Sequence, residues 1–161
     1  MPTHELVCDV THVYATYARA IDEKRYDLLQ RVFTPDAALD YVVGSHRFTA
    51  RGEHAAAAFK PFLDRCYWTQ HVIAPPMVDL DASGRVAASA RVIATHLQRL
   101  PEGTLTRWQV RGSYHDRFVR SHDGLRIAQR FCFCPDEEGE FTDTGVEEFP
   151  QVAWANREVL G

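Results

Sequence analysis

The stretch RVIATHLQR, residues 91–99, places a histidine at the end of an apolar row. Alternate side chains of a strand share a face, so His96 follows the small apolar residues Val86, Ala88, Ala90, Val92 and Ala94. An imidazole in such surroundings loses hydration, and it then requires a hydrogen-bond partner or stays neutral. A backbone carbonyl as partner would make His96 structural, whereas a carboxylate from another element would make it a candidate acid–base group.

Asp22 is the carboxylate that is best placed to serve His96. It lies one turn beyond Tyr14 and Ala18, at the end of the first predicted helix and beside its apolar stripe. A carboxylate is unfavourable at the negative C-terminal end of a helix, so another group should compensate it. The alternative is that Asp22 caps the next helix.

Other polar residues are less specific candidates when each is taken alone. His71, in TQHVIAPP, lies among β-forming residues, and Tyr41, in ALDYVV, fits a core or a pocket wall equally well. Ser113 and His115 share one side of a later strand, and alternation does not say whether that side faces a pocket. Asp116 is predicted to pair with a nearby arginine.

Three helices followed by a meander of strands are predicted to position these residues. The first third of the chain is predicted to be helical, with helices over roughly 10–21 and 24–33 and a third near residue 51 that Pro61 kinks or shortens. Strands are predicted over 67–80, 85–99 and 105–120 and after a turn at 121–124. This α+β order places the helices on one face of a curved sheet, with a pocket between the layers.

Composition indicates one globular domain over residues 1–161, with 141–161 as a tail or lid. Hydrophobic residues make up 45% and charged residues 25% of the chain, and the net charge of -4 argues against a nucleic-acid partner. The sequence has no membrane-length apolar stretch and no signal-peptide pattern, so a cytoplasmic protein is expected. The four cysteines are expected to be reduced core residues, with Cys132 and Cys134 on one side of a strand.

Three segments resemble the SnoaL-like proteins of the nuclear transport factor 2-like superfamily, in particular scytalone dehydratase-like and bile-acid dehydratase-like sequences. They are YARAIDEKRYDLLQRVFTPDAALDY at 17–41, TQHVIAPP at 69–76 and GSYHDRFVRSHDGLRIAQR at 112–130. The resemblance implies a cone-shaped fold in which three N-terminal helices pack on a curved, mostly antiparallel sheet around an apolar pocket. It also implies homodimers or homotrimers.

The resemblance assigns roles to individual residues. His71 and His96 correspond to catalytic histidines, and Asp22 corresponds to the carboxylate that supports the second of them. Tyr41 corresponds to a tyrosine that holds the substrate carbonyl. Tyr17 matches a tyrosine of the bile-acid dehydratases and is expected to act in catalysis by polarising the substrate carbonyl together with Tyr41.

The resemblance also covers two positions on a later strand and one on the first helix. Ser113 corresponds to a serine that lines the pocket, and His115 replaces an amide side chain, which is expected to change the substrate contacts. Ile21 stands where scytalone dehydratase has a tyrosine.

The resulting hypothesis is a cofactor-independent lyase, a dehydratase that acts on an apolar hydroxylated carbonyl compound of polyketide-, steroid- or terpenoid-like kind. Asp22, His71 and His96 would supply the acid–base chemistry, because imidazole titrates near neutrality. An isomerase or cyclase is an alternative, since the same proton abstraction begins each reaction. Further alternatives are a non-catalytic binding module and a zinc or iron site that adds His115 to these three residues, although no close-spaced ligand pair supports a metal.

Overall fold

The computed structural model describes residues 1–145, and in this range three α-helices pack against seven strands. The helices are α1 (His4–Asp22), α2 (Leu29–Val32) and α3 (Ala55–Leu63). The strands are β1 (Phe33–Val43), β2 (His46–Arg51), β3 (Trp68–Ile73), β4 (Met77–Leu80), β5 (Val86–Arg99), β6 (Leu105–Ser121) and β7 (Gly124–Gly139). Within the described residues, the helices are too short or too polar to cross a membrane.

Helix α1 carries one wall of the structure. The Thr3 hydroxyl caps its N-terminus by accepting a hydrogen bond from the Leu6 amide at 3.2 Å. Its buried stripe recurs at three- and four-residue steps and comprises Leu6, Val10, Val13, Tyr14, Tyr17, Ala20 and Ile21. The helix ends at Asp22 where it packs against β3, and this position brings the carboxylate to the sheet.

The sheet is mixed, curved and open. Its strand order is β2-β1-β7-β6-β5-β3, β4 also pairs with β5, and the β1–β7 pair is parallel while the other pairs are antiparallel. Register shifts interrupt the β6–β7 ladder near Arg111 and Arg117, and such bulges bend a sheet. The helices cover the concave side, which confirms the predicted α+β fold with three helices on a curved, mostly antiparallel sheet.

The helical prediction for the first third of the chain is wrong over residues 33–51. There β1 and β2 form an antiparallel hairpin in which Val43 lies opposite His46. Alternate burial of Ala37, Leu39 and Tyr41 shows the strand period that the sequence analysis missed. The short α3 contains Pro61 in its last turn, as expected from the inability of proline to continue the ladder.

The apolar row on β5 is confirmed. Its inward-facing residues are buried as predicted, namely Ala88, Ala90, Val92, Ala94 and His96. Gln98 extends this buried row by one further position. The sequence period therefore placed His96 correctly on the face that meets the helices.

Gln98 fastens the segment after β7 to the core. Its side-chain amide donates to the Thr142 carbonyl at 2.8 Å, and its carbonyl accepts from the Thr142 amide at 2.7 Å. Phe141 stacks on Phe62 with ring centroids 3.9 Å apart. The predicted tail or lid over 141–161 is therefore packed on the core at 141–142, and residues 146–161 lie outside the described residues.

We expect Gln98→Leu to loosen this segment. Loss of both hydrogen bonds leaves the Thr142 amide without its partner, and about 1–3 kcal/mol of local stability corresponds to amide exchange roughly 5- to 150-fold faster. Hydrogen exchange of the Thr142 amide measures the change. Gln109→Leu, which removes a side-chain bond to Thr95 on another part of the sheet, should leave Thr142 exchange unchanged. Equal exchange in all three proteins would contradict the expectation.

Candidate active site

A cavity of about 480 Å³ lies between the helices and the concave face of the sheet. Aromatic side chains form much of its wall, namely Phe48, Phe59, Phe62, Trp108, Tyr114 and Phe141. Among its polar lining groups are Tyr17, Tyr41, His71 and His96, four of the predicted site residues. An apolar cavity with a few convergent polar groups is the usual form of a small-molecule site.

Asp22 and His71 form a partly buried hydrogen-bonded pair. Asp22 Oδ1 lies 2.7 Å from His71 Nδ1, and Asp22 Oδ2 accepts the backbone N–H of His71 at 2.8 Å. The two side chains are 22% and 7% exposed, so water competes little with these bonds. Because an ionised carboxylate only accepts, Nδ1 carries the proton and Nε2 is left as the basic nitrogen.

The expectation that Asp22 supports His96 is wrong, because the carboxylate binds the other histidine. In the β3–β5 register His71 lies opposite Ala94, one step along the same face from His96. The two imidazole centroids are therefore 5.8 Å apart, with the rings nearly perpendicular. The geometry is an Asp22–His71 pair with His96 as its neighbour.

His96 is held in its neutral form. Burial lowers the pKa of His96 to about 3, the neighbouring His71 imidazole acts in the same direction, and a backbone hydrogen bond of Trp108 opposes them. Phe62 and Trp108 pack around the ring, with centroids 5.8 and 5.0 Å away. Among the described residues, His96 Nδ1 has no hydrogen-bond partner. A neutral imidazole carries one donor and one acceptor nitrogen, and the ring of His96 lines the cavity.

Folding stability should depend on pH through His96. In the unfolded chain the imidazole titrates near 6.5, so acid adds a proton that the folded protein excludes. This contribution to stability is complete above about pH 6.5 and is lost at up to about 1.4 kcal/mol per pH unit as pH falls toward 3. Urea unfolding across this range measures the slope, and His96→Gln should reduce it by that amount. A variant with the wild-type slope would show that His96 does not cause it.

Two tyrosine hydroxyls meet at the cavity wall. The Tyr41 hydroxyl donates to the Tyr17 hydroxyl at 3.2 Å, which leaves the hydrogen of Tyr17 free for a ligand. Burial raises the pKa of both phenols well above the ordinary value. These side chains are therefore neutral hydrogen-bond donors rather than bases.

A buried ion pair lies behind the tyrosines. Arg130 donates to both carboxylate oxygens of Asp116 at 2.9 and 2.6 Å, and both side chains are fully buried. The guanidinium carbon lies 4.3 Å from the Tyr17 ring centroid and 4.2 Å from that of Tyr114. Arg130 Nη1 donates a weak hydrogen bond to the Tyr41 hydroxyl at 3.5 Å. The prediction that Asp116 pairs with an arginine is confirmed.

The sequence analysis missed Arg130 as a residue of this region. Arg130 precedes Cys132 and Cys134 at two-residue steps on the buried side of β7, a pattern like that of His96. Although burial opposes it, the Asp116 carboxylate holds the pKa of Arg130 above its ordinary value. The Arg130 charge lowers the pKa of Tyr17 and of Tyr41, against the larger effect of burial.

Ser113 and His115 do not belong to this cavity, contrary to the expectation. They lie opposite Phe133 and Phe131 of β7 on the other face of the sheet, and the Ser113 hydroxyl contacts His115 Nε2 at 2.9 Å. His115 lines a separate cavity of about 350 Å³. Alternation along β6 grouped these residues correctly, but it could not say which face the helices cover.

The structure also bears on the alternative of a metal site and on the prediction of four core cysteines. Within residues 1–145, no group of three or more His, Cys, Asp or Glu side chains is arranged for a metal ion. The sheet separates His115 from His71 and His96. Among the described residues all four cysteines are free, and Cys132 and Cys134 share a side of β7. Cys8 is exposed, so the prediction that all four are core residues is wrong for Cys8.

Comparison with known proteins gives relatives in sequence. The SnoaL-like domain family matches residues 4–130. The uncharacterized protein Rv2910c of Mycobacterium tuberculosis is 33% identical over 130 residues, which cover 76% of this chain and 80% of that protein.

Comparison with solved structures gives relatives in fold. The Kfla4162 protein of Kribbella flavida is 27% identical with a TM-score of 0.70, covering 81% of this chain and 91% of that one. A Novosphingobium aromaticivorans protein assigned as a scytalone dehydratase has 13% identity, a TM-score of 0.67 and coverages of 89% and 92%. The hexachlorocyclohexane dehydrochlorinase LinA-type3 of Novosphingobium barchaimii has 13% identity, a TM-score of 0.66 and coverages of 83% and 88%.

The family match runs from the start of α1 to the middle of β7 and therefore includes Asp22, His71 and His96. The chain belongs to the SnoaL-like family.

Proposed function

We propose that the protein is a cofactor-independent lyase that removes water from an apolar, ring-containing hydroxy carbonyl compound. The observation that carries this proposal is the partly buried Asp22–His71 pair facing an aromatic cavity that His96 and Tyr17 also line. Dehydration beside a carbonyl needs a base for the carbon-bound proton, donors for the carbonyl oxygen and a proton for the departing hydroxyl. The cavity offers a group for each task.

His71 is the base in this mechanism. Its Nε2 takes the proton next to the substrate carbonyl, and the Asp22 carboxylate stabilises the imidazolium that forms. Because Asp22 also accepts the His71 backbone N–H, the carboxylate and the ring are fixed relative to each other. The base is therefore oriented before the substrate binds.

The Tyr17 hydroxyl donates to the substrate carbonyl, whose negative charge grows as the proton leaves. Tyr41 orients Tyr17 by donating to it, and the nearby Arg130 charge favours electron density on the phenol oxygens. These are fixed dipoles in a mostly apolar cavity, where such interactions are stronger than in water.

Departure of the hydroxyl completes the reaction. The electrons of the broken C–H bond form the new C=C bond, the C–O bond breaks, and the His71 imidazolium returns its proton to the leaving oxygen as water. The neutral His96 ring, which also lines the cavity, contacts that oxygen as it leaves. His71 returns to its starting state, and no redox step occurs.

The fold relatives favour an elimination over other uses of the same base. A protein assigned as a scytalone dehydratase and a hexachlorocyclohexane dehydrochlorinase share this architecture, and both names describe the loss of a leaving group. Fold alone does not establish a reaction, so the proposal depends on the His71 geometry of this chain.

A bicyclic β-hydroxy ketone, 3-hydroxy-1-tetralone, tests the proposal directly, because loss of water converts it to 1-naphthol. Proton NMR in deuterated water would follow both the product and deuterium incorporation beside the carbonyl. We expect 1-naphthol to form faster with wild-type protein than with His71→Ala.

Other outcomes of the same experiment distinguish the alternatives. Deuterium incorporation without loss of water would replace the lyase by an isomerase or cyclase. Binding with neither reaction, across a panel of hydroxy ketones, would indicate a non-catalytic module. His122→Ala is the matched control, because this exposed histidine lies in the turn between β6 and β7 and should not alter the rate.

A further inference from the structure

Two thiols lie side by side in the cavity wall and have no role in the elimination. Cys132 and Cys134 alternate along the inner side of β7, each is 2% exposed, and both line the cavity. Their sulfur atoms are 3.7 Å apart. Cys132 is flanked by Tyr41 on β1 and by Tyr114 on β6, so the pair adjoins the tyrosine hydroxyls.

The sulfur spacing fits a bridge through one atom better than a direct bond. A disulfide requires sulfur atoms about 2.05 Å apart and Cα atoms at most about 6.8 Å apart, a limit that residues two apart on an extended strand barely meet. A single soft atom with bonds of about 2.3 Å to each sulfur and an angle of roughly 95–110° between them, as at pyramidal arsenic or a tetrahedral centre, would hold them about 3.4–3.8 Å apart. The observed 3.7 Å agrees with that arrangement.

The surroundings favour a reactive sulfur at Cys134. A hydrogen bond from Cys132 lowers the pKa of Cys134, burial opposes this, and a Ser113 backbone bond and the Arg130 charge assist it, while the pKa of Cys132 is raised. Gly112 provides the necessary room, because a Cβ there would lie 2.8 Å from the Cys134 sulfur. The thiolate is the form of cysteine that attacks electrophiles.

We propose that Cys132 and Cys134 form a bidentate dithiol site for soft electrophiles that bond two sulfurs through one atom, with trivalent arsenicals as the ligand class. Within the described residues no third His, Cys, Asp or Glu side chain joins them, so two sulfur bonds make up the protein's share of the site. Thiolate ligands select soft partners of this kind. A ligand held there occupies the cavity beside Tyr41, whether or not the cavity is catalytic.

Phenylarsine oxide is the probe. Its As=O oxygen leaves as water with the two thiol protons, and two As–S bonds form without any change in oxidation state. The cavity of about 480 Å³ has room for the phenyl group. We expect intact-mass spectrometry to show one phenylarsenic group per chain, which excess glutathione does not remove and dithiothreitol does.

Single-cysteine variants test whether both sulfurs bind. Cys132→Ala and Cys134→Ala should hold the probe about 10²–10⁴-fold more weakly than wild type, because the second bond is then lost. Cys8→Ser and Cys66→Ser are matched controls that should keep the wild-type adduct.

Two results would overturn the site. One is that glutathione removes the adduct from the wild-type protein as readily as from the single-cysteine variants. The other is that the Cys132→Ala/Cys134→Ala protein forms the same adduct as wild type. If the double variant does not fold, arsenic-edge X-ray absorption of the wild-type adduct decides the question. Two sulfur neighbours support the site, and one sulfur neighbour contradicts it.

Discussion

Replacement of His71 by alanine is expected to lower kcat by about 10²–10⁴-fold, because the variant lacks the imidazole that we propose removes the carbon-bound proton. Asp22→Asn should lower kcat to a similar extent. Its amide nitrogen can donate where the carboxylate accepts, which disturbs the His71 tautomer that leaves Nε2 free. Steady-state kinetics on a substrate of the tetralone kind measures both effects. KM should change much less than kcat, since neither side chain is proposed to hold the substrate.

Glu23→Gln is the matched control for Asp22→Asn. Glu23 is the next residue, it pairs with Arg19 on the surface of α1, and it contacts neither histidine in the described hydrogen bonds and ion pairs. Its loss should leave kcat within about twofold of wild type. Wild-type kcat in both His71→Ala and Asp22→Asn would remove the Asp22–His71 pair from the mechanism.

The second large effect is on stability and concerns the buried Arg130–Asp116 pair. Arg130→Met should lower the free energy of unfolding by about 3–5 kcal/mol, because it leaves the Asp116 carboxylate buried without its partner. Arg130→Lys should also destabilise, since one ammonium cannot reproduce the two parallel bonds of the guanidinium. Urea unfolding at neutral pH measures both.

The double replacement Arg130→Met with Asp116→Leu separates the cost of an unpaired charge from the value of the pair. Removal of both charges should recover most of the lost stability, because apolar side chains of similar size suit the ring-lined site. Arg126→Met, on the same strand but at the surface beside Asp123, should change stability by less than about 1 kcal/mol. A double variant as unstable as Arg130→Met alone would contradict this account.

The sequence by itself determined which residues share a face. The β5 period placed His96 on the buried side, the β6 period grouped Ser113 with His115, and the β7 period placed Cys132 beside Cys134. Alternation depends on backbone geometry within one strand, so neighbouring residues are sufficient to reveal it. The overall layout also followed from such local periods, apart from the β1–β2 hairpin, which lies between the predicted second and third helices and was not recognised as strand.

Only the tertiary structure decided which faces meet. The docking of α1 on β3 gives Asp22 to His71 rather than to His96, and the covering of one sheet face by helices excludes Ser113 and His115 from the cavity. Arg130 finds Asp116 through the β6–β7 register, across 14 residues of sequence. These contacts join residues far apart in the chain, and packing and strand register fix them. No local period carries that information.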